Sequence, residues 1–181
     1  MDVTQKTRRG SGVSGNTALF EAVISVRRVN KVISGGRRLA FSAFVVVGDC
    51  SGRVGLGCGK AREVSLAISK ATRRASKKMI FVPLKGNTIP YSVKTKFGAS
   101  KLLLSPAHPG TGVIAGGSVR QIMMALGAKD VLGKSFGSSN PITSAMVTFK
   151  ALSMLRDPKV FSDLRGVRFS GSDFVTVEGD S

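Results

Sequence analysis

The sequence predicts an α+β protein of two domains, because strand-type alternation followed by helix-type spacing of apolar residues occurs twice along the chain. Its 181 residues suit one or two small domains, and a hydrophobic content of 42% is enough for packed cores. We expect a flexible basic arm over residues 1–18, a first domain over 19–84, a second domain over 85–165 and a tail over 166–181.

The first domain has a β-β-β-α pattern. Alternating apolar residues predict a strand over Phe20–Ile33, and Gly35 and Gly36 indicate a turn after it. The apolar run 39–47 and the glycine-rich run 53–58 predict two more strands, and residues 79–84 an extended exit. The helix between these segments places apolar residues on one face: Val64, Ala67, Ile68, Ala71 and Ala75.

The second domain again combines strands with helices. Three segments have the composition of strands: 88–96, 101–105 and 130–136. A loop is predicted over 106–112, and a helix begins at Gly116-Gly117. Asn140 followed by Pro141 is typical of an N-cap and the first position of a second helix. One more turn is predicted over 160–164.

Positive charge is concentrated in the first 129 residues. They contain 22 Lys and Arg against 4 Asp and Glu, no acid occurs over residues 64–129, and the whole chain carries +18. Such a chain repels itself unless a polyanion neutralises it, so nucleic acid is the first candidate partner and an anionic membrane the second.

A membrane partner is disfavoured by the apolar pattern. The longest apolar run, over 39–47, is about half a bilayer span. The first 15 residues contain no apolar signal core. We therefore expect a soluble chain with no membrane partner.

The run Val54–Lys60 alternates glycine with other residues and invites comparison with nucleotide-binding loops. No glycine stands five positions before Gly59, and Ala61 replaces the hydroxyl residue that holds magnesium in a P-loop. Two interpretations remain. Either another backbone approaches this glycine strand closely, or an RNA phosphate approaches it beside Lys60 and Arg62.

Two other features also have both a structural and a binding interpretation. Gly110-Thr111-Gly112 and Gly116-Gly117 flank a helix start, where free amides bind anions or glycines supply positive φ angles. Cations around the Gly35-Gly36 turn are either solvated or in contact with phosphates. The candidate RNA-binding residues are Arg27, Arg28, Lys31, Gly35, Gly36, Arg37, Arg38, Arg53, Lys60, Arg62, Lys70, Arg73, Arg74, Lys77 and Lys78.

Residues suited to catalysis or metal binding are scarce. His108, the only histidine, lies in a loop without a suitably spaced nucleophile or acid. Cys50 and Cys58 lack the further ligands of a zinc site, so we expect reduced thiols rather than a disulfide. Most Phe residues fall in apolar patterns, which favours recognition of folded RNA by shape and backbone. We predict no enzyme activity, no cofactor and no metal.

Several motifs, in one order and with natural spacing, together carry a family resemblance. In the first domain they include Val29-Asn30-Lys31-Val32, Gly35-Gly36-Arg37-Arg38 and Gly59-Lys60-Ala61-Arg62-Glu63-Val64. In the second they include Gly110-Thr111-Gly112-Val113-Ile114-Ala115-Gly116-Gly117 and Gly137-Ser138-Ser139-Asn140-Pro141-Ile142. Over about residues 20–165, the chain resembles the family of the fifth small-subunit protein of bacterial-type ribosomes.

The resemblance implies a double-stranded-RNA-binding-like β-β-β-α domain followed by a β-α-β-α domain with a left-handed crossover. It implies binding to small-subunit ribosomal RNA in a bacterial cytoplasmic or an organellar ribosome. Implied neighbours are the fourth and eighth small-subunit proteins and messenger RNA near the entry path, with roles in assembly and decoding accuracy. The hairpin around Gly35 and Gly36 would reach RNA, and Gly112 and Arg120 would lie against the fourth protein.

Two other functions compete with this one. A free-standing regulator that binds double-stranded RNA would bind generic duplexes tightly, whereas a ribosomal protein would prefer its own subunit RNA. A small-molecule kinase would share the fold implied for the second domain. Fold alone does not carry function, and the missing magnesium-binding hydroxyl at Ala61 disfavours the kinase.

Overall fold

The structure is a computed structural model that describes residues 19–157, Val160 and Leu164. The arm predicted over 1–18, the tail over 166–181 and most of the turn over 160–164 lie outside the described residues. The elements in chain order are β1 Phe20–Ile33, β2 Gly36–Gly48, β3 Arg53–Ala61, α1 Val64–Lys77, β4 Met79–Phe81, β5 Val93–Phe97, β6 Ser100–Pro106, β7 Val113–Ile114, α2 Gly117–Leu126, β8 Val131–Gly137 and α3 Pro141–Met154.

The first sheet is antiparallel, in the order β1-β2-β3-β4, and α1 covers one of its faces. The three predicted strands and the helix are present, and the extended exit forms a short fourth strand against β3. β1 and β2 form a long hairpin closed by the pair Ile33 and Gly36, with Ser34-Gly35 as its two-residue loop. Gly36 has a φ of +132°, a backbone angle that residues with a side chain rarely adopt, which explains the glycine at this position.

The close packing of α1 on β3 explains the glycines of this strand. A Cβ on Gly55, Gly57 or Gly59 would come within 2.3 Å of an α1 carbonyl oxygen. The helix meets this stripe with three fully buried alanines, Ala67, Ala71 and Ala75. The close approach of another backbone therefore accounts for the glycine run, and no phosphate can reach this face of β3.

The second sheet has the order β5-β6-β8-β7, with only the β7–β8 pair parallel, and α2 and α3 pack on one face. The predicted α+β architecture of two domains is confirmed. The β-α-β-α pattern is too simple, because β5, β6 and β7 all precede α2.

The strand predicted over 88–96 was wrong in its first half. Only residues from Val93 onward pair with β6. Lys85 and Thr88 instead form an isolated bridge around Gly86-Asn87, and Pro90 has no amide hydrogen for a ladder. The apolar Ile89 and Val93 are nevertheless both buried in the same core.

The two sheets share one hydrophobic core. β2 is buried on both faces, because Val45 and Val47 face α1 whereas Phe44 and Val46 join a cluster with residues of α2 and α3. The turn between β2 and β3 docks on the end of α2. Cys50 N donates to Ala125 O at 3.1 Å and Gly52 N donates to Leu126 O at 3.0 Å. These backbone bonds hold the two units in one orientation.

Candidate nucleic-acid interface

A basic cleft lies at the outer half of the β1–β2 hairpin, beyond the second unit. It has a volume of about 500 Å³, and its lining includes three apolar residues, Val29, Leu39 and Ala40. Its rim is formed by five cations from three strands and the residues after β3: Lys31, Arg37, Arg38, Lys60 and Arg62. The structure thus brings together five of the predicted RNA-binding residues from two separate stretches of the sequence, 31–38 and 60–62.

The strand register places three of these cations, Lys31, Arg38 and Lys60, on one face of the sheet. Lys31 is directly opposite Arg38 on the neighbouring strand, and Lys60 is opposite Ser42. Directly opposite side chains in a sheet are on the same face and about 5 Å apart. Like charges this close repel each other, so an anion in the cleft would relieve the repulsion.

The basic residues of α1 form a separate surface, since α1 packs on the opposite face of the first sheet. Lys70, Arg73, Lys77 and Lys78 are exposed there. Arg74 is also exposed, but its guanidinium donates to Cys58 O at 2.8 Å. That bond satisfies a carbonyl on the edge of β3 that the short β4 does not reach.

The remaining predicted cations are outside the cleft lining. Arg27 donates from Nη2 to Asn140 Oδ1 at 2.6 Å, and Asn140 also caps α3 by accepting from Ile142 N. Arg27 therefore ties β1 to the second unit. Arg53 begins β3, about 23 Å along the strand from Lys60. Arg28 is exposed but does not line the cleft.

The loop before α2 is held by a carboxylate of the protein itself. Asp130 Oδ1 accepts from Gly110 N at 3.0 Å and from Gly112 N at 2.9 Å. Both glycines have positive φ angles, whereas Gly116 and Gly117 do not. The amides of Gly110 and Gly112 are therefore already occupied by the carboxylate of Asp130. Both glycines also supply the positive φ angles that the turn requires.

The two predicted protein-interface residues are positioned differently. Gly112 belongs to this carboxylate-bound loop, with a φ of +78°. Arg120 lies in the first turn of α2, is exposed, and follows the buried Val119. Its side chain is therefore available to a partner without any change in the core.

The described residues contain no group of His, Cys, Asp and Glu arranged to hold a metal. Cys50 and Cys58 are both free thiols. Burial, together with the nearby Asp49, raises the pKa of the Cys50 thiol, which disfavours its reactive thiolate. The imidazole Nδ1 of exposed His108 lies 3.1 Å from the Pro109 carbonyl oxygen, and the His108 carbonyl oxygen accepts from Thr111 Oγ1 at 2.7 Å. Within residues 19–157, no helix is both long and apolar enough to span a bilayer.

One set of basic residues was not included among the candidate RNA-binding residues predicted from the sequence. Lys94, Lys96, Lys101 and Lys134 are exposed on the second sheet. The signal was present, because Val93–Phe97 places lysine at every second position between apolar or Thr residues.

The comparisons with known proteins agree with this architecture. The family model described as "Ribosomal protein S5, N-terminal domain" matches residues 19–83, and the model described as "Ribosomal protein S5, C-terminal domain" matches residues 95–165. The chain belongs to the ribosomal protein S5 family. A curated relative from Lawsonia intracellularis (strain PHE/MN1-00), "Small ribosomal subunit protein uS5", is 51% identical over 147 residues, which cover 81% of this chain and 90% of the relative.

Membership in the S5 family settles the class of protein. S5 proteins are structural ribosomal proteins and not enzymes, so the kinase alternative is excluded. The family resemblance inferred from short motifs is confirmed over both matched segments.

Proposed function

We propose that this S5-family chain is a structural constituent of the small ribosomal subunit and binds its ribosomal RNA through the basic cleft of the β1–β2 hairpin. The observation that carries the proposal is the convergence of Lys31, Arg37, Arg38, Lys60 and Arg62 on one cleft. Such a cleft holds phosphates by charge, while its rigid strands select the shape of a folded RNA.

The first domain is further proposed to be double-stranded-RNA-binding-like, with its boundary at residue 84, and the second to contain a left-handed crossover through β7, α2 and β8. The parallel β7–β8 pair on either side of α2 supports a crossover. The exposed cations of α1 would contact a second RNA segment, because they face away from the cleft.

The proposed setting is a bacterial cytoplasmic ribosome, in keeping with the bacterial relative, and an organellar ribosome is the alternative. The fourth and eighth small-subunit proteins and messenger RNA near the entry path are the proposed neighbours. Support of assembly and of decoding accuracy are the proposed roles, and they follow from the family resemblance over both domains.

A competition experiment tests RNA binding. The full chain bound to labelled small-subunit RNA is challenged with unlabelled small-subunit RNA or with a generic RNA duplex of equal mass, at moderate salt. We expect the subunit RNA to compete at a concentration at least about tenfold lower, because shape recognition adds to phosphate attraction. Equal competition by the generic duplex would indicate a free-standing regulator of double-stranded RNA instead.

Arg120 provides a test of the proposed contact with the fourth protein. Because Arg120 is exposed and its neighbours are buried, we expect Arg120→Leu to change the free energy of unfolding by less than about 0.5 kcal/mol. We expect the same variant to raise stop-codon readthrough, since a charge at an interface rim tunes association more than folding. A melting curve and a readthrough reporter measure the two effects.

Lys129→Leu is the matched control, because Lys129 is also exposed on the second unit and its replacement removes the same positive charge. Unchanged readthrough in an Arg120→Leu strain, with normal incorporation into subunits, would remove Arg120 from the proposed interface. A large drop in melting temperature would instead mean that Arg120 is needed for folding.

A further inference from the structure

The second sheet has one face covered by helices and one face that no described helix covers. Val93, Leu102, Leu104 and Val131 are buried on the helical side, where Thr95 Oγ1 donates to Val147 O of α3 at 3.4 Å. The residues of the other face follow from the strand register, because directly opposite residues share a face. They form three rows across the sheet: Lys96, Lys101 and Phe136; Lys94, Leu103 and Lys134; Ser105, Leu132 and Ile114.

This uncovered face has four cations and no anion among its nine residues. Lys94, Lys96, Lys101 and Lys134 are all exposed. None of their ammonium groups forms an ion pair with a carboxylate of the described residues. A typical solvated face mixes both signs of charge, so the composition of this one indicates a partner that supplies negative charge.

The pairing of Lys96 with Lys101 makes the argument specific. The two residues are directly opposite on β5 and β6. Like charges in this position destabilise a sheet, and an oppositely charged residue at either position would remove the cost. The pairing of two lysines does not stabilise the isolated fold. An anion bound between the two ammonium groups would be attracted by both of them.

Apolar side chains surround the lysines. Phe136 is 49% exposed and lies directly opposite Lys101, and Leu103 lies between Lys94 and Lys134. A surface of cations next to an exposed ring suits a nucleic-acid strand, whose phosphates meet the cations while sugars and bases meet the apolar groups. An acidic protein surface would match the charge, but it would offer the exposed ring of Phe136 no base to stack on.

We propose that the uncovered face of the second sheet is an additional RNA-binding surface, which takes the phosphate backbone of ribosomal RNA on Lys94, Lys96, Lys101 and Lys134. This inference rests on the proposed function, because it takes the same RNA as the partner. It adds a contact that is separate from the hairpin cleft and that belongs to the other domain.

The test uses Lys101→Glu in the full chain, with small-subunit RNA as the probe. Glutamate at position 101 faces Lys96, so we expect a melting temperature equal to or above that of the unchanged protein. We expect affinity for the RNA to fall roughly tenfold at low salt, because one phosphate contact is lost and a repulsive charge is added. If Lys101 were needed only for folding, its replacement would lower the melting temperature together with the RNA affinity.

Lys129→Glu is the matched control, because Lys129 is exposed in the loop after α2, is not in any of the three rows, and undergoes the same change of charge. A second comparison is a variant of the cleft with Lys31, Arg37 and Arg38 replaced by Ala. Weak binding by the cleft variant with unchanged binding by Lys101→Glu would overturn this inference and leave the proposed function standing.

Two other outcomes would also overturn the inference. Equal losses of RNA affinity in Lys101→Glu and Lys129→Glu would mean that RNA binding depends only on the net charge of the protein. Unchanged RNA affinity together with poor retention of Lys101→Glu in assembled subunits would mean that the face binds a neighbouring protein. If neither Lys101→Glu nor the cleft variant weakens RNA binding, the proposed function itself fails.

Discussion

Affinity for small-subunit RNA is expected to fall by roughly 10³- to 10⁵-fold between about 50 and about 200 mM salt. The hairpin cleft and the exposed α1 cations together offer enough positive charge for about six to ten phosphate contacts. Each contact releases counterions from the RNA, and added salt makes that release less favourable. Filter binding of the full chain at several salt concentrations measures the slope of the logarithm of affinity against the logarithm of salt.

The cleft variant sharpens this prediction. Replacing Lys31, Arg37 and Arg38 by Ala removes three cations of the cleft rim, so the slope should become shallower by about three. Lys129→Ala, a change of one exposed lysine outside the cleft, should leave the slope nearly unchanged. A flat salt response of the unchanged protein would contradict phosphate binding, and an unaltered slope in the cleft variant would place the contacts elsewhere.

Gly57→Ala should destabilise the fold more than any other conservative change considered. Its added Cβ would lie 2.0 Å from Ala71 O and 2.7 Å from Ala75 N, so α1 would have to move off the sheet. Overpacking costs about 1–3 kcal/mol when side chains can adjust, and here the obstacle is helix backbone. We expect a loss of at least about 3 kcal/mol in the free energy of unfolding, seen as a melting temperature lower by roughly 6–12 °C.

Gly35→Ala is the control for Gly57→Ala. A Cβ on Gly35 meets no atom within 4 Å, and Gly35 has no positive φ angle. The same Gly-to-Ala change should therefore shift stability by less than about 0.5 kcal/mol at this site. Equal melting temperatures for the two variants would show that α1 does not rest on the glycine stripe in solution, whereas insolubility of Gly57→Ala alone would agree with the prediction.

Local patterns predicted most of the fold. Alternation identified β1, an apolar run identified β2, a glycine-rich run identified β3, and the helical spacing of five apolar residues identified α1. All of these signals depend on neighbours in the chain. β7 was missed, since its two residues form a strand only through pairing with β8. The strand predicted over 88–96 failed for the same reason, because the burial of Ile89 comes from packing and not from a ladder.

The candidate site was predictable in composition but not in arrangement. Charge excess identified the cations of the hairpin and of α1. It could not assign them to opposite faces of the first sheet, because that depends on where α1 packs. It also could not reveal that Arg27 holds Asn140 and that Asp130 holds Gly110 and Gly112. Such long-range polar contacts leave no periodic pattern in the sequence.

The docking of the β2–β3 turn on α2 has a mechanical consequence. Cys50 and Gly52 bond to the last residues of α2, and Gly48 lies so close to Ala125 that a Cβ there would be 1.9 Å from its carbonyl oxygen. These contacts fix the base of the hairpin, where β2 ends, relative to the second sheet. The two domains therefore act as a rigid spacer. RNA segments bound to the two domains would be held at one separation, and a displacement of one domain would move the other with it.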